Sequence, residues 1–443
     1  MLLSSTLVVG SAVLGTPPPA GAGVGECLDP YPVEDRFDYL DALAFCGADS
    51  SGPHTIELTA DVDLATGVDP VYGGSQPLRI DGNGFALDAG GQNRILDVVG
   101  IGSVDFVDIT VRNGSGTEGG AVRTAGSEVL VLNSSFLDNV AGSIGGAIFP
   151  NGGRALIYES TFAGNEAATF GSAVYTNGDI DIGDSTIQGA GPADDVILAA
   201  GVVRIYHATI TEGVLRGGDD LTSFGSVVAA CNISGTTTST YSFSGDNSCG
   251  FDDGTDTSGG GSAILGPIRD NGGPTPTMFP LVGSPLPDQI PVADCFDDPI
   301  LASDQRGVPR PFGTGCDLGA VEAVFPAHGF SDVSPFYEAA VRWVTSDVND
   351  PQILNGFDDG TFRHRDDITR GQAARLYYRA AGAPDVSGLP AHGFSDVSPF
   401  FEDAVRWAKA NEVFDGFDDG TFRQAAPISR GNSTRSLYRF AGA

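Results

Sequence analysis

The chain has 443 residues, 63 of them glycine, and carries 57 acidic against 23 basic side chains, for a formal net charge of −34. So acidic a surface repels nucleic acid and anionic lipid, which removes both from the expected partners. The length exceeds one ordinary domain and is ample for a large core, while the glycines suit a fold with many tight corners.

Residues 1–22 open with an apolar run, Met1 to Leu14, followed by Thr16-Pro17-Pro18-Pro19 and Ala20-Gly21-Ala22. That is the apolar region and cleavage site of a secretory signal, without the usual preceding basic residue. The run is too short to cross a bilayer and no later stretch is apolar enough, so no membrane span is expected. Six cysteines fall into close pairs, Cys27 with Cys46, Cys231 with Cys249 and Cys295 with Cys316. Local pairing of this kind predicts disulfides and an exported protein, with other pairings of the six left open. No His/Cys cluster has zinc spacing, and no metal or cofactor is expected.

Residues 23–262 carry the strand signals. Between Cys27 and Gly100 these are weak, as in His54-Thr55-Ile56-Glu57-Leu58 and Leu78-Arg79-Ile80-Asp81, and read as a cap and first coils. From Val104 to Ile210 they become a repeat. Gly119-Gly120-Ala121-Val122 returns as Gly145-Gly146-Ala147-Ile148 and Gly171-Ser172-Ala173-Val174, and Asn133-Ser134-Ser135-Phe136 returns as Glu159-Ser160-Thr161-Phe162 and Asp184-Ser185-Thr186-Ile187. In phase, three apolar columns emerge: Val111, Phe136, Phe162, Ile187, Ile210; Phe106, Val131, Ile157, Ile182, Ile205; and Val104, Val129, Ala155, Ile180, Val203. Units of 23 to 26 residues with alternating short strands predict one coil each of a right-handed parallel β-helix. A polar column, Asp108, Asn133, Glu159, Asp184, His207, is expected to face outward as a solvated ladder.

After Ile210 the periodicity fades, and Thr236 to Thr240 and Asp253 to Ser262 read as loops. Residues 263–325 are proline-rich and contain Asp270-Asn271-Gly272-Gly273-Pro274-Thr275, Gly283-Ser284-Pro285, Asp304-Gln305-Arg306-Gly307 and Cys316-Asp317-Leu318-Gly319-Ala320-Val321-Glu322. In that order these blocks resemble the choice-of-anchor Q domain of bacterial surface proteins, a resemblance that implies a segment closing the β-helix ahead of a surface anchor.

The remaining chain is a duplication. Pro326 to Phe336 is repeated unchanged at Pro390 to Phe400, Gly356 to Arg363 at Gly416 to Arg423, and Ile368-Thr369-Arg370-Gly371 returns as Ile428-Ser429-Arg430-Gly431. The copies span 326–382 and 390–443, joined by a linker at 383–389. Each reads as helix, turned loop, helix. Ser334 and Ser398 are N-cap candidates ahead of proline, and Phe336, Ala340, Trp343, Val344 and Phe400, Ala404, Trp407, Ala408 form the buried faces. Asp358-Asp359-Gly360 makes a turn, and Thr369 to Gln372 is a capping box opening a second helix that buries Ala373, Leu376, Tyr377 and Ala380. This pattern resembles the S-layer homology (SLH) domain, whose members attach exported proteins non-covalently to the cell envelope, usually through a cell-wall polysaccharide. The resemblance implies small all-α hairpins after the β-helix, carbohydrate contacts at Arg370 and Arg430, and an extracellular protein held at the cell surface. A guanidinium at a helix N-terminus suits a carboxylate-bearing sugar.

The reading is therefore a non-catalytic surface protein whose β-helix is displayed for a structural or adhesive role, with other glycans or proteins as further partners along its outer face. The alternative is a wall-tethered polysaccharide lyase or hydrolase. Its candidate carboxylates are Asp194-Asp195 and Asp219-Asp220, with His207 in the polar column beside Asp184 and Glu159 of earlier coils; adjacent strand residues face opposite ways, and no pair of converging carboxyls is visible.

Overall fold

The computed structural model describes residues 27–191, 194–281, 284–295, 302–323, 330, 333, 338–345, 353–357, 361–363 and 366–441. The signal-like stretch 1–22 and the cap and face positions Ser334 and Phe336 lie outside these residues, as does the side chain of Ala340.

Residues 31–244 form a parallel β-helix. One sheet stacks ten strands from Tyr31–Val33 to Thr237–Thr240, a second stacks fifteen, and a short third pairs Ser115–Glu118, Val140–Ile144 and Glu166–Ala167. The registers place Val104, Val129, Ala155, Ile180 and Val203 beside one another, then Phe106, Val131, Ile157, Ile182 and Ile205, then Val111, Phe136, Phe162, Ile187 and Ile210. All are fully buried or nearly so, and Phe136 stacks on Phe162 with centroids 5.0 Å apart. Each such Val, Ile or Phe side chain contributes roughly 1.5–3 kcal/mol by leaving water, and vertical repetition makes the columns continuous. The Gly pairs set one corner. Gly119, Gly145 and Gly171 take φ of 62°, 66° and 65°, and at the second position Gly120 and Gly146 have no room for a side chain, whereas the third coil carries Ser172 there. A Cβ on Gly146 would lie 2.0 Å from the Ser172 carbonyl oxygen, so Gly146→Ala is expected to cost about 1–3 kcal/mol in urea unfolding, the penalty of overpacking.

The Asn-Ser-Ser-Phe recurrence sets the other corner. Its first residue adopts a left-handed conformation in every coil: Asp108 (φ 49°), Asn133 (53°), Glu159 (50°), Asp184 (39°) and His207 (46°). Short polar side chains tolerate that backbone best, and this conformation selects the polar column. The serine that follows points inward. The hydroxyls of Ser134, Ser160, Ser185 and Ser226 each accept the N–H of the preceding coil, from Ile109, Ser134, Ser160 and Ala208 at 3.1–3.2 Å. Buried backbone donors are thereby satisfied where the strands break.

The coils continue past Ile210. Leu221–Phe224 pairs with Val203–Tyr206, and Thr237–Thr240 pairs with Leu221–Phe224, so the stretch 237–240 read as loop is a strand. The offset has contracted from 25 or 26 residues to 18 between Val203 and Leu221 and 16 between Leu221 and Thr237, which breaks the period without breaking the stack. Helix α1, Arg36–Ala48, covers the first coil with Tyr39, Ala42, Leu43 and Cys46, and its N-cap Asp35 accepts the N–H of Phe37 and Asp38. At the far end Cys231, Cys249 and Phe251 belong to the same core. The three disulfides are Cys27–Cys46, Cys231–Cys249 and Cys295–Cys316.

The described residues of 263–322 lie along the flank, over the outward threonines of neighbouring coils. Gln305 accepts the Thr186 hydroxyl at 2.6 Å and donates to Thr161 at 2.8 Å, and Thr209 accepts the N–H of Ala320 at 2.9 Å. This cover changes the polar column. Asp184 and His207 are 3% and 0% exposed, so the solvated ladder expected there is a buried one in its later coils. Arg310 sits on it, donating to Asp184 at 2.9 Å and to Glu322 at 2.8 Å, both partners being buried. Burial pushes the carboxyls of Asp184 and Asp317 up to about 7, the former despite Arg310. Burial, with Arg310 nearby, holds His207 well below its ordinary value and therefore neutral.

Candidate functional site

The duplicated region supplies helices α2 (Glu338–Thr345), α3 (Arg370–Ala380), α4 (Glu402–Ala410) and α5 (Arg430–Phe440). Helix α3 opens with the capping box, Thr369 accepting the N–H of Gln372 while the Gln372 amide accepts that of Thr369. It packs among residues of the second copy. Tyr377 meets Phe414 and Phe440 at 6.0 and 5.1 Å, its hydroxyl accepts Ser436 at 3.2 Å, and Tyr378 meets Trp407 at 6.0 Å. The two copies thus share one core. Trp407 is 8% exposed and lies in it, as its helical phase predicts.

Two face assignments change. Phe400 is 65% exposed beneath the Arg375 guanidinium, because Ser398 closes a turn onto the Phe401 N–H instead of capping a helix; α4 begins at Glu402 and buries Ala404, Val405, Trp407 and Ala408. In α3, Ala374 is buried and Ala380, expected on the buried face, is exposed.

Arg370, the first residue of α3, reaches into the second copy's turned loop. Its Nε donates to the Phe422 carbonyl at 2.9 Å and its Nη2 to the Asp415 carbonyl at 2.7 Å, with the rings of Phe414, Phe417 and Phe422 around it at 4.8–5.3 Å. It is 7% exposed, a guanidinium held by π-faces and backbone. The loop is shaped by Asp419, whose carboxylate accepts the N–H and hydroxyl of Thr421 and the Arg423 guanidinium and is thereby lowered to about 2. Above Arg370 opens a cleft of about 150 Å³, lined also by Asp415, Phe417, Asn432, Arg435 and Arg439. Arg439 and Arg435 approach Asp415 at 2.8 and 3.3 Å, which leaves three arginines against one aspartate. Arg435 and Arg439 carry no motif; the available signal was that Arg439 occupies the same position in its copy as Arg379 does in the first. Arg430, the counterpart of Arg370, is exposed on the first turn of α5 and is not part of this cleft.

Three of the four carboxylates considered for catalysis have separate engagements. Asp195 pairs with Arg216 at 2.9 Å, Asp194 accepts the Ser172 hydroxyl and the Ala190 N–H, and Asp220 accepts the N–H and hydroxyl of Thr236. A larger cavity of about 590 Å³ lies beside the last coils between Glu212, Phe243, Leu265 and Met278. Glu212 is the one carboxylate among its described lining residues and is engaged with Gln188 at 2.9 Å.

The class of protein so defined is a parallel β-helix followed by a pair of interlocked helical repeats. Residues 329–374 and 393–431 match the S-layer homology domain, so the C-terminal pair are SLH repeats. Over 90 residues the chain is 31% identical to cell surface glycoprotein 1 of Acetivibrio thermocellus, an alignment covering 20% of this chain and 4% of that protein. No solved structure matches. Both similarities indicate a cell-surface setting. Among the described residues no helix is long and apolar enough to cross a membrane.

Proposed function

We propose that this is an exported surface protein that holds to the cell-wall polysaccharide through its SLH pair and displays the β-helix as a stiff rod for a structural or adhesive role. The observation that carries the reading is the cleft between the copies: a chain of net charge −34 collects Arg370, Arg435 and Arg439 around one opening. Three forked donor groups in a shallow, half-dry site suit an acidic polysaccharide, whose carboxylates accept paired N–H bonds. Arg370, fixed at the floor, presents an oriented charge, and the more exposed Arg435 and Arg439 close on the ligand. Arg430 contributes from outside this cleft, as a second contact on the same polymer.

The test is co-sedimentation of the full chain with purified wall sacculi. Arg435→Ala with Arg439→Ala removes two charge-assisted contacts without touching the core, and binding is expected to weaken roughly tenfold or more. Equal pelleting of parent and double variant would set the cleft aside as the binding site.

A further inference from the structure

The step at which the coils shorten leaves a recess in the wall of the β-helix. The register between Thr209–Gly217 and Val227–Ile233 shifts there, so that Thr211, Glu212 and Gly213 stand opposite Ala229 alone. The longer strand bulges at that point, with Glu212 in a left-handed conformation (φ 53°). Across the recess runs a hairpin in which Leu265 bridges Pro280 and Arg269 bridges Thr277. Between bulge and hairpin lies the cavity of about 590 Å³, a size in the range of small-molecule sites.

Its two sides differ in chemistry. On the bulge side Gln188, in register with Thr211 of the neighbouring coil, donates its Nε2 to Glu212 Oε2 at 2.9 Å. That contact leaves the Gln188 carbonyl oxygen and the second Glu212 oxygen available. The Thr211 hydroxyl donates to the Met278 sulfur at 3.4 Å, a weak acceptor that a better partner displaces. On the hairpin side the lining is apolar, with Ile264, Leu265 and Met278 facing Val228 and Phe243 of the coil wall. Ile264 is 38% exposed and takes φ of 50°, a strained backbone for a β-branched residue. The Ser262 hydroxyl accepts its N–H at 3.1 Å, and its carbonyl accepts the N–H of Leu281 at 2.9 Å. Strain fixed from both sides is a feature of ligand clamps.

Charge narrows the choice of ligand. Glu212 is the one charged side chain among the described lining residues, on a chain of net charge −34, so an anion would be repelled. A wholly apolar ligand would cover a carboxylate, an amide and a hydroxyl without giving them partners. A neutral sugar suits both sides, its hydroxyls donating to Glu212 and Gln188 and its C–H face lying on the hairpin. We infer that this groove binds an uncharged saccharide, with Glu212, Gln188 and Thr211 holding its hydroxyls and Ile264 and Leu265 covering a ring face. The site gives the adhesive half of the proposed function a ligand class distinct from the acidic polymer of the arginine cleft, and does not depend on wall attachment.

Isothermal titration calorimetry of the full chain with cellohexaose, mannohexaose and xylohexaose tests it. Saturable binding of at least one is expected. Glu212→Asn removes the charge at a position whose left-handed backbone asparagine accepts, and is expected to weaken that binding roughly tenfold or more. Ala229→Trp fills the groove opposite the bulge and is expected to abolish it. Glu212 is exposed and Ala229 half-buried, so unchanged circular dichroism and melting temperature will show that the fold is intact. No binding of any of the three saccharides overturns the inference, and so does binding that both variants retain. Uptake of anilinonaphthalene sulfonate by the groove with no saccharide bound overturns it in favour of an apolar occupant. Wall attachment is read separately, by co-sedimentation with sacculi, because both variants leave Arg370, Arg435 and Arg439 in place. Their pelleting is expected to match the parent. Pelleting lost together with saccharide binding would support the groove and overturn the cleft as the wall contact.

Discussion

Phe162→Ala is expected to lower unfolding stability by about 3–5 kcal/mol, the cost of emptying a large aromatic site in a packed core. Phe162 is fully buried, lies parallel to Phe136 and pairs in register with Ile187 on the next coil. The backbone around it is pinned on both sides, by the serine hydroxyls at one corner and the tight glycine corner at the other, so the strands cannot collapse to fill the void. Coils of a solenoid are stabilised by their neighbours, and the loss therefore spreads to the adjoining columns. Denaturant unfolding followed by tryptophan-independent far-UV signal gives the number. A loss under about 1 kcal/mol would mean that the site relaxes and that the stacked columns are not what holds the rod together.

The second large effect belongs to Arg310. Arg310→Met leaves Asp184 and Glu322 buried without their cation, a change that costs about 3–5 kcal/mol near neutral pH. The same carboxyls make stability depend on pH. Asp184 and Asp317 have folded values of about 7 against an ordinary 3.8. Between these limits the folded chain holds protons that the unfolded chain has lost, so their contribution is full below about 4 and disappears as pH rises through 7. Glu159 and Glu322, also raised by burial, act in the same direction. His207 opposes them. Its lowered value favours the folded state above its ordinary 6.5, and that advantage is lost on acidification. Asp419, held at about 2, acts only in stronger acid. Two strongly raised carboxyls outweigh one histidine, so melting temperature is expected to fall between pH 5 and pH 8. Asp184→Asn should flatten that slope, and an unchanged slope in the variant would remove Asp184 as its cause.

The legible part of the fold was the part that repeats at constant length. Phe136, Phe162 and Ile187 lie in columns because coils of 25 or 26 residues leave a fixed imprint in the sequence. When the coil contracted to 18 and then 16 residues the imprint vanished, and Leu221–Phe224 and Thr237–Thr240 were lost with it although the same ladder continues. Helix α1 went unread because it occurs once, with a buried set of Tyr39, Ala42, Leu43 and Cys46 that has no second copy to phase against. The burial of Asp184 and His207 was invisible for a different reason. Their polarity reports a left-handed corner, which is local, whereas their cover is Arg310 and its segment, more than 100 residues away in the chain. At the site, position was readable and environment was not. The motif marked Arg370 as special, but only the packing of α3 against the second copy showed a guanidinium boxed by Phe414, Phe417 and Phe422. Arg430 carries the same motif yet is exposed and lies outside the cleft, a difference the motif does not show.

Hydrogen exchange on the full chain, with and without solubilised wall polysaccharide, tests most directly the claim that the interlocked repeats grip the envelope. Slowed exchange over 413–417 and through α5, with the coils between Val104 and Thr240 unchanged, is the predicted result. Protection confined to the β-helix, or none in the second repeat, would contradict it.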